Sequence, residues 1–376
     1  MKTIAHIVKK EFLQFKRDPK MFAMIIIAPI IQLIFLGYAA NLDVETVKLA
    51  FFDQDKTETS RALIRKYEAT GYIVAEHYID NYDDAEELLN KGEVIGVIVI
   101  PVDFEKRIER NETVAVQGLF DGTDGNTTSI SAGYVASTTG SFSFDLVNDF
   151  INKNGKELNT TGNLEAEIRV WYNPELKSRV FMVPGIVGLL LMIITLVLTS
   201  LAVVKEKEIG TLEQLIVTPI KPIQLLIGKL VPFGILGFVS VLVVLLAMYL
   251  IFGIAVRGNI IFLLFASLLF IFSTLGLGLF VSTISKTQQQ AMMLAIFAGM
   301  MPMVYFSGFA FPLENMPEII QKLAYIIPLK YFITIIRGVI LKGIGFTELW
   351  FDLMMLVIIG FSILFISSMR FSKKLD

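Results

Sequence analysis

The chain is 376 residues long, 54% of them hydrophobic, with a formal net charge of −2 and no cysteine. That apolar share exceeds that of an ordinary soluble domain, and the missing cysteines exclude a disulfide framework, a cysteine nucleophile and a thiolate metal site. The small net charge hides a division, because residues 41–178 carry 25 acidic against 13 basic residues and the remainder 10 against 20. An acidic soluble segment is therefore set into a basic, apolar chain.

Residues 1–20 come first. Ile4, Ile7, Val8, Phe12 and Phe15 recur at helical spacing with lysines between them, giving one greasy and one basic face suited to a membrane interface. A short solvated tail before Pro19 is the alternative. A hydrocarbon core of about 30 Å needs roughly 20 apolar helical residues. Six stretches meet or approach that length: 21–40, 180–204, 230–254, 260–284, 291–311 and 353–369, none with an Asp, Glu, Lys, Arg or His. The first resembles a signal peptide at Gly37-Tyr38-Ala39-Ala40, but its apolar run exceeds a signal core of about 7–15 residues.

Between the first two stretches, residues 41–178 alternate strand and helix patterns. Strands are expected at 47–52, 72–78, 94–100, 114–120 and 168–172, with helices at 59–68, 83–90, 104–110 and 128–150. This is the pattern of a small α/β domain with helices covering a sheet. The loop 121–126, Asp-Gly-Thr-Asp-Gly-Asn, lacks the ligand spacing and downstream Glu of a calcium loop and reads as a turn.

Basic residues gather at the cytoplasmic ends of spans. An inside N-terminus puts Lys9, Lys10, Lys16, Arg17, Lys205, Lys207, Lys229, Lys286 and Arg370 on one side. Both termini are then cytoplasmic, and residues 41–178 and 312–352 lie outside. The fold expected is a polytopic α-helical membrane protein of six transmembrane helices with an inserted α/β extracytoplasmic domain. Its parts are 1–20, an interfacial helix; 21–40, the first span; 41–178, the outer domain; and 179–376, five further spans.

No catalytic constellation is legible. His6 and His77 lie in unrelated regions, and no phosphate-binding loop exists, since Gly155-Lys156 is followed by Glu157 and Gly228-Lys229 by Leu230. No enzyme activity, cofactor, metal or nucleic-acid partner is expected. Spans without ionisable residues also argue against proton coupling.

After the second apolar stretch, Thr211 is a plausible N-cap, Leu212, Leu215 and Ile216 share a face, and Pro219 stops the helix. Such a helix suits docking into a partner's groove or lying back on the bundle. The run Glu206-Lys207-Glu208-x-Gly210-Thr211-Leu212-Glu213-x-Leu215-x-x-Thr218-Pro219 resembles the signature of the ABC-2-type permease family. The resemblance implies a coupling helix over 206–219 that contacts a cytoplasmic ATPase. Glu206, Glu208 and Glu213 would make polar contacts, and Leu212 and Leu215 would fill the groove. Pro312 to Pro317, Pro328 to Tyr331 and Arg337-Gly338 resemble the family's segment before the last span, which implies re-entrant half-helices over 312–345. Pro317 and Pro328 in any case divide that region into helices too short to span.

The resemblance further implies the permease subunit of an ABC exporter in the cell membrane. It would be a dimer with identical or different permeases, surrounded by membrane lipid and served by separate ATPase subunits. The large outer domain places it nearer the multidrug-efflux permeases, with a drug-like, lipidic or other amphiphilic substrate. The alternative class is a receptor or secretion scaffold that binds an extracellular ligand through the α/β domain.

Overall fold

The structure is a computed structural model that describes residues 2–40, 43–44, 46–110, 112–154, 172–173, 177–210 and 222–372. The chain separates into two compact units, Met1–Asn41 with Arg169–Asp376, and Leu42–Ile168.

The smaller unit is a four-stranded sheet of order β2-β1-β3-β4, formed by β1 (Val47–Asp53), β2 (Ile73–Tyr78), β3 (Gly96–Ile100) and β4 (Gln117–Phe120). β1 pairs in parallel with β2 and β3, and β4 closes the edge antiparallel to β3. Both faces of the central strands are covered. Leu49, Phe51, Ile98 and Ile100 share one core with Leu63 and Tyr67, whereas Ala50, Phe52, Val97 and Val99 share another with Ala85. Double burial explains why β3 reads as an unbroken β-branched run. Leu63 and Tyr67 belong to the helix Glu58–Glu68, whose N-cap Thr57 accepts from the Ser60 amide at 3.3 Å. The 30-residue helix Gly125–Asn154 lies on the same face, joined through Tyr67 and Thr139, whose hydroxyls are 2.6 Å apart. Asp121 and Asp124 accept from the amides of Thr123 and Asn126, so their carboxylates shape the turn before that helix. The strand expected at 168–172 falls almost entirely outside the described residues, and Tyr172 is not in a strand.

The larger unit is helical. It begins with α1 (Lys2–Arg17), α2 (Pro19–Phe22), a π turn over Ala23–Ile27 and α3 (Ala28–Ala39). The long helices are α4 (Ser178–Ile209), α5 (Pro222–Phe252), α6 (Ile260–Ile284) and α9 (Phe346–Ser372). Between α6 and α9 lie α7 (Gln288–Leu294), α8 (Met301–Phe306) and a bent pair of shorter helices. Among the described residues, five helices are long and apolar enough to cross a membrane, or six if the bent pair counts as one.

The first apolar stretch differs from the single helix expected over 21–40. Pro29 has no N–H to give to the preceding turn, and the helix widens into the π turn immediately before it. The helices also outrun the charge-free stretches. α4 continues to Ile209 and takes in Lys205 to Glu208, and α5 contains Lys229.

α4 is the central post. Its most apolar window is 78% buried, against 17% for Gln288–Phe306. Close approach explains the glycines. A Cβ on Gly278 of α6 would stand 2.7 Å from the Leu196 carbonyl oxygen of α4, while Ser200 donates to the Gly278 carbonyl at 3.1 Å. Thr195 and Thr274 join the same helices with their hydroxyls 2.6 Å apart. Each of these two hydroxyls also bonds a carbonyl of its own helix, which satisfies it in the apolar interior.

Candidate functional site at the lysine-rich helix ends

α1 packs its apolar stripe on the bundle. Ile7 is buried with Val203, Leu225, Leu279 and Phe371. It lies directly over Gly228, where an added Cβ would meet the Ile7 side chain at 2.7 Å. One turn after Ile7 the stripe carries a carboxylate, Glu11, rather than another apolar residue.

Glu11 belongs to a buried ionic cluster. Glu206, near the end of α4, receives Lys10 Nζ at 2.5 Å and Lys229 Nζ at 2.6 Å on its two carboxylate oxygens. Glu11 stands 3.5 Å from Lys10 and 3.7 Å from Lys229. Among the described residues, two cations and two anions thus join α1, α4 and α5 with no net charge. The side chains of Lys229, Glu11 and Glu206 are 4%, 8% and 11% exposed. Burial pushes the Lys10 ammonium towards its neutral form, but the Glu206 and Glu11 carboxylates outweigh this and raise its pKa.

The next residues of α4 are engaged as well. Lys207 donates to the Ser285 carbonyl, just beyond α6, at 2.8 Å. Glu208 accepts from the side chain of Gln288 at 2.8 Å and from its amide at 3.3 Å. A carboxylate there faces the unsatisfied N–H groups opening α7. The helix stops at Gly210, where φ is +78° and the amide donates to the Lys207 carbonyl. Left-handed φ costs glycine nothing and other residues a steric penalty.

The expected ATPase contacts thus divide. Glu206 is turned inward and holds Lys10 and Lys229. Glu208 is exposed but holds Gln288, and Gly210 caps the helix. Thr211, Leu212, Glu213, Leu215, Thr218 and Pro219 lie outside the described residues. The signal that could have exposed the clamp is Glu11, the acid that falls on the stripe of Ile4, Ile7 and Phe15.

The second motif lies in the bent pair, α10 (Glu318–Ala324) and α11 (Pro328–Arg337); with its continuation to Lys342, α11 makes an angle of 79° with α10. Pro312 precedes a single 3-10 turn, Leu313–Asn315, Pro317 sits at the N-cap of α10, and Pro328 opens α11. Tyr331 donates to the Tyr325 carbonyl across the bend at 2.9 Å. Arg337 reaches two other elements, donating to the Phe181 carbonyl of α4 at 3.3 Å and to Gly308 beyond α8 at 3.2 Å. Its guanidinium lies 3.7 Å above the Phe181 ring. Gly338 opens a π turn, and an added Cβ would meet Ile344 at 3.0 Å.

Against known proteins, a family model described as "ABC-2 family transporter protein" matches residues 19–368. The chain is similar to "Probable multidrug ABC transporter permease YbhS" of Escherichia coli, 33% identical over 335 residues that cover 89% of this chain and 87% of that protein. It is similar to "Probable multidrug ABC transporter permease YbhR" of the same organism, 29% identical over 94% of each chain. It also resembles "ABC transporter G family member 20" of Dictyostelium discoideum, 24% identical over 97% of this chain and 50% of that protein. With the long apolar helices, this match over residues 19–368 decides against the receptor or scaffold reading: the chain belongs to the ABC-2 family of transporter proteins, as a multi-pass membrane permease.

Proposed function

We propose that the chain is the permease subunit of an ATP-driven exporter, working as a dimer with two separate cytoplasmic ATPase subunits. Segment 206–219 is the coupling element in this reading, with Glu213 the polar contact and Leu212 and Leu215 the groove fillers. The observation that carries the reading is the last turn of α4. Its residues are tied to α1 and α5 through Glu206, to the end of α6 through Lys207 and to α7 through Glu208. A push delivered just beyond Gly210 would therefore reach several helices at once rather than bend a free loop.

In the same reading the lysine-rich helix ends face the cytoplasm, the protein has six spans, and the sheet unit is an extracytoplasmic insertion between the first two. The bent pair α10–α11 dips back from the outer face, with Leu329, Phe332 and Ile336 of α11 buried in protein. The substrate is an amphiphile, moved outward. Similarity to proteins named as multidrug permeases supports that class.

Charge reversal, Glu213→Lys, tests the coupling role. Transport by the variant should fall at least tenfold while its thermal midpoint in detergent stays at the parent value. Normal transport would refute the assignment of segment 206–219.

A further inference from the structure

The helix ends that form the ionic cluster also enclose a cleft of about 940 Å³, bounded by α1, the start of α2, α4 and α5. Its size lies within the roughly 300–1,000 Å³ range of small-molecule sites. Its walls divide by chemistry. Met24, Leu198, Leu201, Phe233 and Leu236 make an apolar slot, while Arg17 and Lys205 stand on the rim.

Charge bookkeeping separates the rim from the cluster. Lys10, Glu11 and Glu206 also line the cleft, but they neutralise one another together with Lys229. Asp18 accepts from the Met21 amide at 3.4 Å. Arg17 and Lys205 are exposed and have no hydrogen bond or ion pair among the described residues. With Asp18 counted, the rim keeps one net positive charge beside an apolar slot running into the bundle.

We propose that this cleft binds an anionic membrane lipid, its headgroup between Arg17 and Lys205 and an acyl chain along the Leu198–Leu236 wall. A zwitterionic lipid would bring its own cation to a basic rim, and a small anion would leave the apolar slot empty. The cytoplasmic-leaflet location rests on the orientation proposed above. The binding itself depends on neither orientation nor an ATPase, so its test reads out separately from the permease–ATPase reading.

The test is native mass spectrometry of the full chain released from micelles with equal amounts of phosphatidylglycerol and phosphatidylcholine. Phosphatidylglycerol should be retained roughly five- to thirtyfold over phosphatidylcholine, the range for one to two cations acting on an anionic headgroup. The double variant Arg17→Gln/Lys205→Gln should bring the ratio near parity. Leu236→Trp, which narrows the slot and leaves every charge in place, should lower retention of both lipids. Lys9→Gln/Lys16→Gln, which removes two α1 cations that do not line the cleft, should leave the preference intact. Thermal midpoints of all variants separate lost binding from lost folding. An unchanged ratio in the rim variant, an equal loss in the Lys9/Lys16 control, or displacement of lipid by inorganic phosphate alone would overturn the proposal.

Discussion

Lys229→Met is the sharpest perturbation of the larger unit. The substitution keeps a long side chain among the buried groups and removes one of the two cations that hold Glu206 among the described residues. At 2.6 Å and an effective dielectric of about 20, that pair has a gross attraction of about 6 kcal/mol. Desolvation of both ions offsets part of this. The remaining positive partner, Lys10, is 43% exposed and cannot neutralise both Glu206 and Glu11. Removing one partner of a buried pair costs about 3–5 kcal/mol because the other charge is left uncompensated. The assay is a double-variant cycle on thermal midpoints in detergent, with tryptic cleavage of α1 at Lys9, Lys10 and Lys16 as a local readout. Lys229→Met and Glu206→Gln should each lower the midpoint and speed cleavage. The combined variant should be more stable than Lys229→Met alone, because both charges leave together. Strict additivity, or a wild-type midpoint for Lys229→Met, would refute the clamp.

Three further outcomes follow from other sites. Gly278→Ala should destabilise by about 1–3 kcal/mol, since its Cβ would press on the Leu196 carbonyl, whereas Gly140→Ala, in open space within a helix, should stabilise by about 0.5–1 kcal/mol. Thermal midpoints compare the two. Burial pushes the Asp55 carboxyl up, but hydrogen bonds from the Thr57 hydroxyl and the Glu105 amide outweigh it, so its pKa lies below the usual 3.8. Its stabilisation is therefore fully present above pH 3.8 and lost as pH falls through the lowered value. Hydrogen exchange at Glu105 should rise in that window in the parent and be insensitive to it in Asp55→Asn. Arg337→Lys keeps the charge but cannot hold two carbonyls and a ring face in the same way. Transport should drop and exchange around Gly308 should rise, and unchanged values in both would dismiss Arg337 as a tether.

The apolar architecture was legible because hydrocarbon excludes charge, and charge-free runs mark what it covers. Helix ends were not, since Lys and Glu are good helix formers and α4 continues until Gly210 turns the backbone. The break before α3 was readable in part, as Pro29 was visible but the π turn that accommodates it was not. In the smaller unit the β-branched run of β3 marked a buried strand, and Thr57 and Thr59 both offered a helix start, of which the chain uses Thr57. The ionic clamp escaped because its members are far apart in sequence, with Lys10 and Glu206 separated by 196 positions. No periodicity encodes such a pairing. The bend between α10 and α11 was legible from Pro317 and Pro328, whereas the reach of Arg337 to Phe181 depends on tertiary packing alone.

The most direct test of the account is a mild-detergent pull-down of the tagged full-length protein with mass spectrometry of what copurifies. The account predicts a stoichiometric phosphate-loop ATPase that is lost when residues Gly210 to Glu213 are substituted and retained in Lys9→Gln/Lys16→Gln. No ATPase under several detergents, or an ATPase held equally by the 210–213 variants, would contradict it.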